Sequence, residues 1–135
     1  MLRLSLVRTI CALVLAASAG SAMAVGLGPL EKNGTTASER KGLYLTLRNP
    51  YPGAHRFRAF VEEGSGIAAE RVTILPSVST IAPGANRRIL VVVDGLVPGE
   101  EVRFRLCAER IEERRVSVHA RVCSKLGARR LRITR

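Results

Sequence analysis

Leu43, Leu45 and Leu47 alternate with Tyr44, Thr46 and Arg48. A period of two puts one set on each face of a pleated strand, so this segment predicts a half-buried strand. Phe57, Ala59 and Val61 repeat the pattern within residues 56–62. Val72 and Ile74 predict a short strand that Pro76 ends or places at an edge, because proline cannot donate to a ladder. Residues 88–93 hold a continuous apolar run from Ile89 to Val93, as in a strand buried on both faces. Val102, Phe104, Leu106 and Ala108 then alternate with Arg103, Arg105, Cys107 and Glu109. In residues 115–123, Val116, Val118, Ala120 and Val122 alternate with Ser117, His119, Arg121 and Cys123. Proline and glycine punctuate the gaps at Asn49-Pro50-Tyr51-Pro52-Gly53, Ile81-Ala82-Pro83-Gly84 and Val97-Pro98-Gly99, which predict turns.

No segment after residue 24 shows a helical period. The pattern therefore predicts an all-β chain of about seven short strands. Each alternating strand needs its apolar side covered, and two facing sheets do this. The expected architecture is an immunoglobulin-like antiparallel β-sandwich in a single domain, residues 25–135. Apolar residues make up 47% of the 135-residue chain, enough for a packed core, which excludes wholesale disorder. Aromatics are only 4%, with no tryptophan, so that core is built from Val, Leu, Ile and Ala.

Residues 1–24 read differently. Arg3 and Arg8 form a basic start, Ile10 to Ala17 an apolar stretch, and Ala22-Met23-Ala24 a small-x-small cleavage signature. The segment is expected to be a signal peptide that directs the chain to export. The other reading is an N-terminal membrane anchor, for which the apolar run is short of the roughly 20 residues of a span. Beyond residue 24 only Cys107 and Cys123 remain, and in an exported protein such a pair is expected to form a disulfide, two buried thiols being the alternative.

The chain carries 22 Lys and Arg against 11 Asp and Glu, a net charge of +11. After Glu113 come Arg114, Arg115, Arg121, Lys125, Arg129, Arg130, Arg132 and Arg135 with no acid among them. Such a tail suits an anionic surface or polymer. It lacks the aromatic residues on which bases stack, so nucleic acid is not expected as a partner. Catalytic chemistry is not legible either. His55 and His119 are isolated, and no histidine–cysteine cluster has metal-ligand spacing. The serines lack a nucleophile-elbow context, and Gly26-x-Gly28 does not continue as a dinucleotide fingerprint. The expectation is a protein that is not an enzyme, with no cofactor, no metal and no small-molecule substrate.

The order of segments resembles the N-terminal domain of periplasmic pilus-assembly chaperones of the chaperone–usher family. The resemblance runs over about residues 41–130. It rests on the strand ending in Asn49, on Val72-Thr73-Ile74-Leu75-Pro76, on Ala82-Pro83-Gly84 and on the final strand pair. It implies a chaperone that binds pilus subunits by donor-strand complementation and delivers them to an usher. In that mechanism an extended strand of the chaperone pairs with an open sheet edge of the subunit. The matching donor row is Val116, Val118, Ala120 and Val122; the same row packed into the protein's own core is the competing reading. The resemblance also implies a role for Lys125 in anchoring a subunit's terminal carboxylate. In the family a second base shares that role, and no arginine stands near Pro29 or Leu30, where it is expected. The competing function is that of a non-chaperone envelope protein whose basic face binds anionic polymer or membrane.

Overall fold

The computed structural model of the protein describes residues 25–112 and 120–133. Among the described residues, nine strands follow in chain order: β1 (Gly26–Gly28), β2 (Glu31–Thr36), β3 (Lys41–Arg48), β4 (His55–Val61), β5 (Val72–Leu75), β6 (Val78–Ile81), β7 (Asn86–Val93), β8 (Glu101–Arg110) and β9 (Arg121–Arg130). A single 3-10 turn at Ala69–Arg71 precedes β5. The strands form two sheets, β1-β3-β7-β5 and β2-β9-β8-β4-β6. This is the expected immunoglobulin-like sandwich.

The alternating rows are the core. Leu43, Leu45 and Leu47 of β3 and Ile89, Val91 and Val93 of β7 face Phe57 and Ala59 of β4 and Val102, Phe104, Leu106 and Ala108 of β8. Each is buried, and their neighbours in sequence point outward, as the period of two demands.

Three strands are not legible in the hydrophobic pattern. β1 has three residues and β2 reads Glu-Lys-Asn-Gly-Thr-Thr, with no apolar alternation. β6 includes Ile81, which the sequence pattern places in a turn. All three are edge strands, held by backbone pairing on one side and needing no apolar row of their own. One pairing also departs from the expected antiparallel plan: β2 runs parallel to β9.

Successive strands from β1 to β8 alternate between the two sheets, and the two shortest crossings are each made at a proline. The chain leaves β1 in the first sheet and enters β2 in the second across Pro29, and it does the same between β5 and β6 across Pro76. A residue without an N–H cannot extend the ladder it leaves, so the change of sheet costs no hydrogen bond there.

Asn49 couples two of these turns. It is fully buried at the end of β3. Its Nδ2 donates to the carbonyls of Gly53 (2.8 Å) and Ile81 (2.9 Å), and its Oδ1 accepts from the Tyr51 N–H (2.9 Å). The backbone of Asn49 also exchanges hydrogen bonds with Gly84 and Ala85. The Ala85 N–H donates to Ala82, and Gly84 has φ +68°. Pro83 then Gly84 is the residue order a type II turn requires.

Candidate functional site

The final strand begins later than the sequence pattern suggests. β9 covers Arg121–Arg130, whereas the alternating row falls on residues 115–123. Of the proposed donor residues, Val116 and Val118 lie outside the described residues. Ala120 is exposed just ahead of β9. Val122 is half-buried and packs against the core. The even-numbered phase that includes Val122 continues inward as Ser124, Leu126 and Ala128, all buried.

Two neighbours frame β9. On one side β8 pairs with it antiparallel over its length, from Glu109↔Arg121 to Glu101↔Arg129. On the other side β2 pairs with it only from Lys125 to Arg130. The chain enters β2 there: the Ser124 hydroxyl donates to the Pro29 carbonyl (2.6 Å), and the Lys125 N–H donates to that of Leu30 (2.8 Å). Among the described residues, no strand pairs with that edge of β9 ahead of Lys125. The result is a half-open edge, with Arg121, Val122 and Cys123 presenting it.

This open stretch is braced from the β8 side. Cys107 and Cys123 stand directly opposite each other and form the expected disulfide, with Cα atoms 4.0 Å apart. Both point to the outer face of the sheet, as their odd-numbered phase predicts. Glu62 comes close to the two sulfurs. A disulfide leaves neither sulfur as a thiolate ligand, so this group does not have the donor set of a metal site.

Beside the disulfide, Phe60 lies between two guanidinium groups, Arg58 at 5.3 Å and Arg121 at 4.9 Å from the ring centre. The same two arginines hold the buried carboxylate of Glu109. Arg58 Nε donates to Glu109 Oε1 at 2.6 Å, and Arg121 Nε donates to Oε2 at 3.4 Å. Burial pushes the Glu109 carboxyl up, but Arg58 and then Arg121 outweigh it and hold the group below the ordinary value of 4.5. The sequence pattern does not single out Glu109. Its signal is a glutamate directly across from arginines on neighbouring strands, which needs the register to be seen.

Lys125 is exposed on the same outer face. Its register partners are Glu31 on β2 and Arg105 on β8. The position beside it on β2 is thus an acid. His55 packs edge-on against Tyr51, 5.4 Å between ring centres, away from this edge.

The solved structures that this chain is similar to carry the same architecture. The E. coli chaperone DraB superposes with a TM-score of 0.64 at 19% identity, over 82% of this chain and 57% of that one. This is the immunoglobulin-like fold of the pilus chaperones. The periplasmic chaperone SfaE matches with a TM-score of 0.61 at 17% identity, over 82% of this chain and 60% of that one. A PapD-like domain of human CEP192 matches as well, with a TM-score of 0.62 at 11% identity, over 82% of this chain and 87% of that one. The chain spans less than two thirds of the length of the two chaperones. No protein-family model and no curated protein matches the sequence. The match to a human domain means that the fold alone does not choose a function, which has to be argued from the edge of β9.

Proposed function

We propose that the protein is a periplasmic chaperone-like module that shields pilus or fimbrial subunits by donor-strand complementation. The observation that carries this reading is the half-open edge of β9, which β2 leaves unpaired ahead of Lys125. An exposed strand edge either is blunted or is used. Here the stretch is held to β8 by the Cys107–Cys123 disulfide, which keeps it extended at low entropic cost to an incoming strand. Structural likeness to chaperones, one of them solved with a pilin, supports the same reading.

In this proposal residues 1–24 are the signal peptide, removed on export, and residues 25–135 are the working domain. Backbone hydrogen bonds from the first half of β9 and the segment before it pair with the subunit's open edge. Val116, Val118, Ala120 and Val122 fill its apolar groove in alternate positions. Lys125 anchors the subunit's terminal carboxylate, with Arg105 as its register neighbour on β8. Partners are therefore proteins: the subunits and, for delivery, an usher. Nothing in the proposal calls for catalysis or a cofactor.

The test uses chain recovered from the periplasm of an expression host. Its mass is expected to begin at Val25. Co-expression with a subunit that lacks its last strand is expected to give a soluble complex. Val118→Arg is expected to abolish it, because a charge in an apolar groove is not solvated. Ser117→Arg, on the opposite phase, is expected to leave it intact. Unchanged melting with unchanged client binding in Val118→Arg removes the strand from the mechanism. A large melting loss in that variant alone means the row is core.

A further inference from the structure

The two outer faces of the sandwich are chemically unlike. On the β8–β9 side, glutamates stand among the arginines and pair with several of them, Arg58 and Arg121 with Glu109, Arg103 with Glu101, Arg105 with Glu62, while Arg56, Lys125 and Arg129 make no ion pair among the described residues. The other sheet contains no acidic residue in any of its four strands, which read Gly-Leu-Gly, Lys-Gly-Leu-Tyr-Leu-Thr-Leu-Arg, Val-Thr-Ile-Leu and Asn-Arg-Arg-Ile-Leu-Val-Val-Val. Of its four cations, Arg48 and Arg88 lie on the outward phase and Lys41 and Arg87 on the phase of the buried rows, and none makes an ion pair among the described residues.

The same face carries an apolar row. Tyr44, Leu90 and Leu75 stand side by side across β3, β7 and β5. Tyr44 is 46% exposed and Leu75 54%. Leu90 leans over the bare backbone of Gly42, and Arg88 lies flat on the Tyr44 ring at 3.9 Å. Arg48 extends the outward row along β3. The face is thus apolar and aromatic at its centre, with cations beside the apolar residues and no acid.

We infer that this outer face, Tyr44, Leu75 and Leu90 with Arg48 and Arg88, docks on an anionic lipid surface. Charge complementarity selects an anionic occupant and rejects a second copy of this chain, whose matching face has the same sign. Among the described residues, the cavities at Asn33, Arg103 and Glu112 open on the other sheet. Tyr44, Leu90 and Leu75 form a row spread across three strands, whereas a protein partner's anchor side chain is desolvated in a pocket. A headgroup layer needs none: arginines meet phosphates, while tyrosine and leucine reach the acyl boundary. The basic tail expected from the sequence is partly committed elsewhere, Arg121 to Glu109 and Arg130 to the Leu96 carbonyl. The inference stands apart from strand donation, which uses the opposite sheet.

The test is co-sedimentation of the exported chain with vesicles of phosphatidylglycerol and phosphatidylcholine, against pure phosphatidylcholine. Binding is expected only to the anionic vesicles and is expected to weaken with salt. Arg88→Glu is expected to weaken it about tenfold or more, as reversal of a basic residue at an anionic surface implies. Arg103→Glu, on the other face, is the control and is expected to change it little. The chain has no tryptophan, so Tyr44→Trp gives a single fluorescent reporter, expected to shift to the blue on binding. Absence of binding at low salt overturns the inference. So does binding that Arg103→Glu weakens as much as Arg88→Glu, or an indole emission in Tyr44→Trp that bound vesicles leave unchanged. Capture of soluble polyglutamate without vesicle binding overturns it in favour of an acidic protein partner.

Discussion

At the scale of single residues, the strongest local constraints are polar. Asn49 is the only side chain that ties the end of β3 to the turns at Gly53 and Ile81 among the described residues. Asn49→Ala leaves two carbonyls and one N–H without those partners, the Ile81 carbonyl in a buried site and the other two groups part-buried. The expected loss is about 4 kcal/mol, from the cost of orphaned buried groups, measured by urea unfolding. Glu109 makes a pH-dependent contribution. Its carboxyl titrates below the ordinary value of 4.5 in the fold, so the Arg58 and Arg121 contacts stabilise fully above that value. That contribution is lost as pH falls through the lower folded-state value. Melting of the native protein is expected to fall more steeply below pH 4.5 than melting of Glu109→Gln. Equal slopes would show that the arginine clamp carries no proton linkage.

At the scale of elements, β9 is the strand on which the proposed strand donation rests. Its second half is closed by β2 and its first half is braced only by β8 and the Cys107–Cys123 bond. Replacing both cysteines by alanine is expected to cost about 3 kcal/mol, for a closed loop of this length in the chain-entropy model. Hydrogen exchange is expected to quicken first at Arg121 to Cys123, ahead of Leu126 and Ala128. Uniform quickening over β9 would mean that the disulfide does not hold the open half in particular. The strand itself is legible as alternation, but its bounds are not. Val116 to Val122 and Ser124 to Ala128 share one phase, and the second group is broken by Ser124 and Gly127. An apolar row interrupted by small and polar residues loses its period of two, although Ser124 is buried because its hydroxyl has the Pro29 carbonyl as a partner.

At the scale of the whole molecule, one core serves both sheets. Leu45 from one sheet and Phe57 and Leu106 from the other are each almost wholly buried in the same cluster. Leu45→Ala is expected to cost about 3 kcal/mol, in the range of buried leucine truncations. Exchange protection is expected to fall in both sheets together, because neither has another cover for its apolar side. Independent loss of the β3–β7 sheet would show two cooperative units instead of one. The outer faces are not shared in this way: the strands of the β3–β7 sheet contain no acid, whereas on the other face glutamates pair with several arginines.

The alternating apolar rows of β3 and β8 and the continuous run of β7 by themselves determined an all-β sandwich with those strands at its centre, because a period of two has one physical solution when one face must be buried. The Pro-Gly turns at Pro83 and Pro98 were equally legible, since their backbone geometry is local: Gly84 and Gly99 sit at φ +68° and +81°. Cys107 and Cys123 were legible as a pair from their common odd phase. Only the tertiary structure decided the edges. β1, β2 and β6 carry too little apolar pattern to announce themselves and exist because a neighbouring ladder pairs them. The parallel approach of β2, which begins at Glu31 opposite Lys125, sets how much of β9 stays open. It also puts an acid beside that lysine, while the pairing of β8 with its two neighbours seats Glu109 between arginines from β4 and β9. These are consequences of register between segments as far apart as Pro29 and Ser124, 95 residues along the chain, and no local period encodes register across that distance.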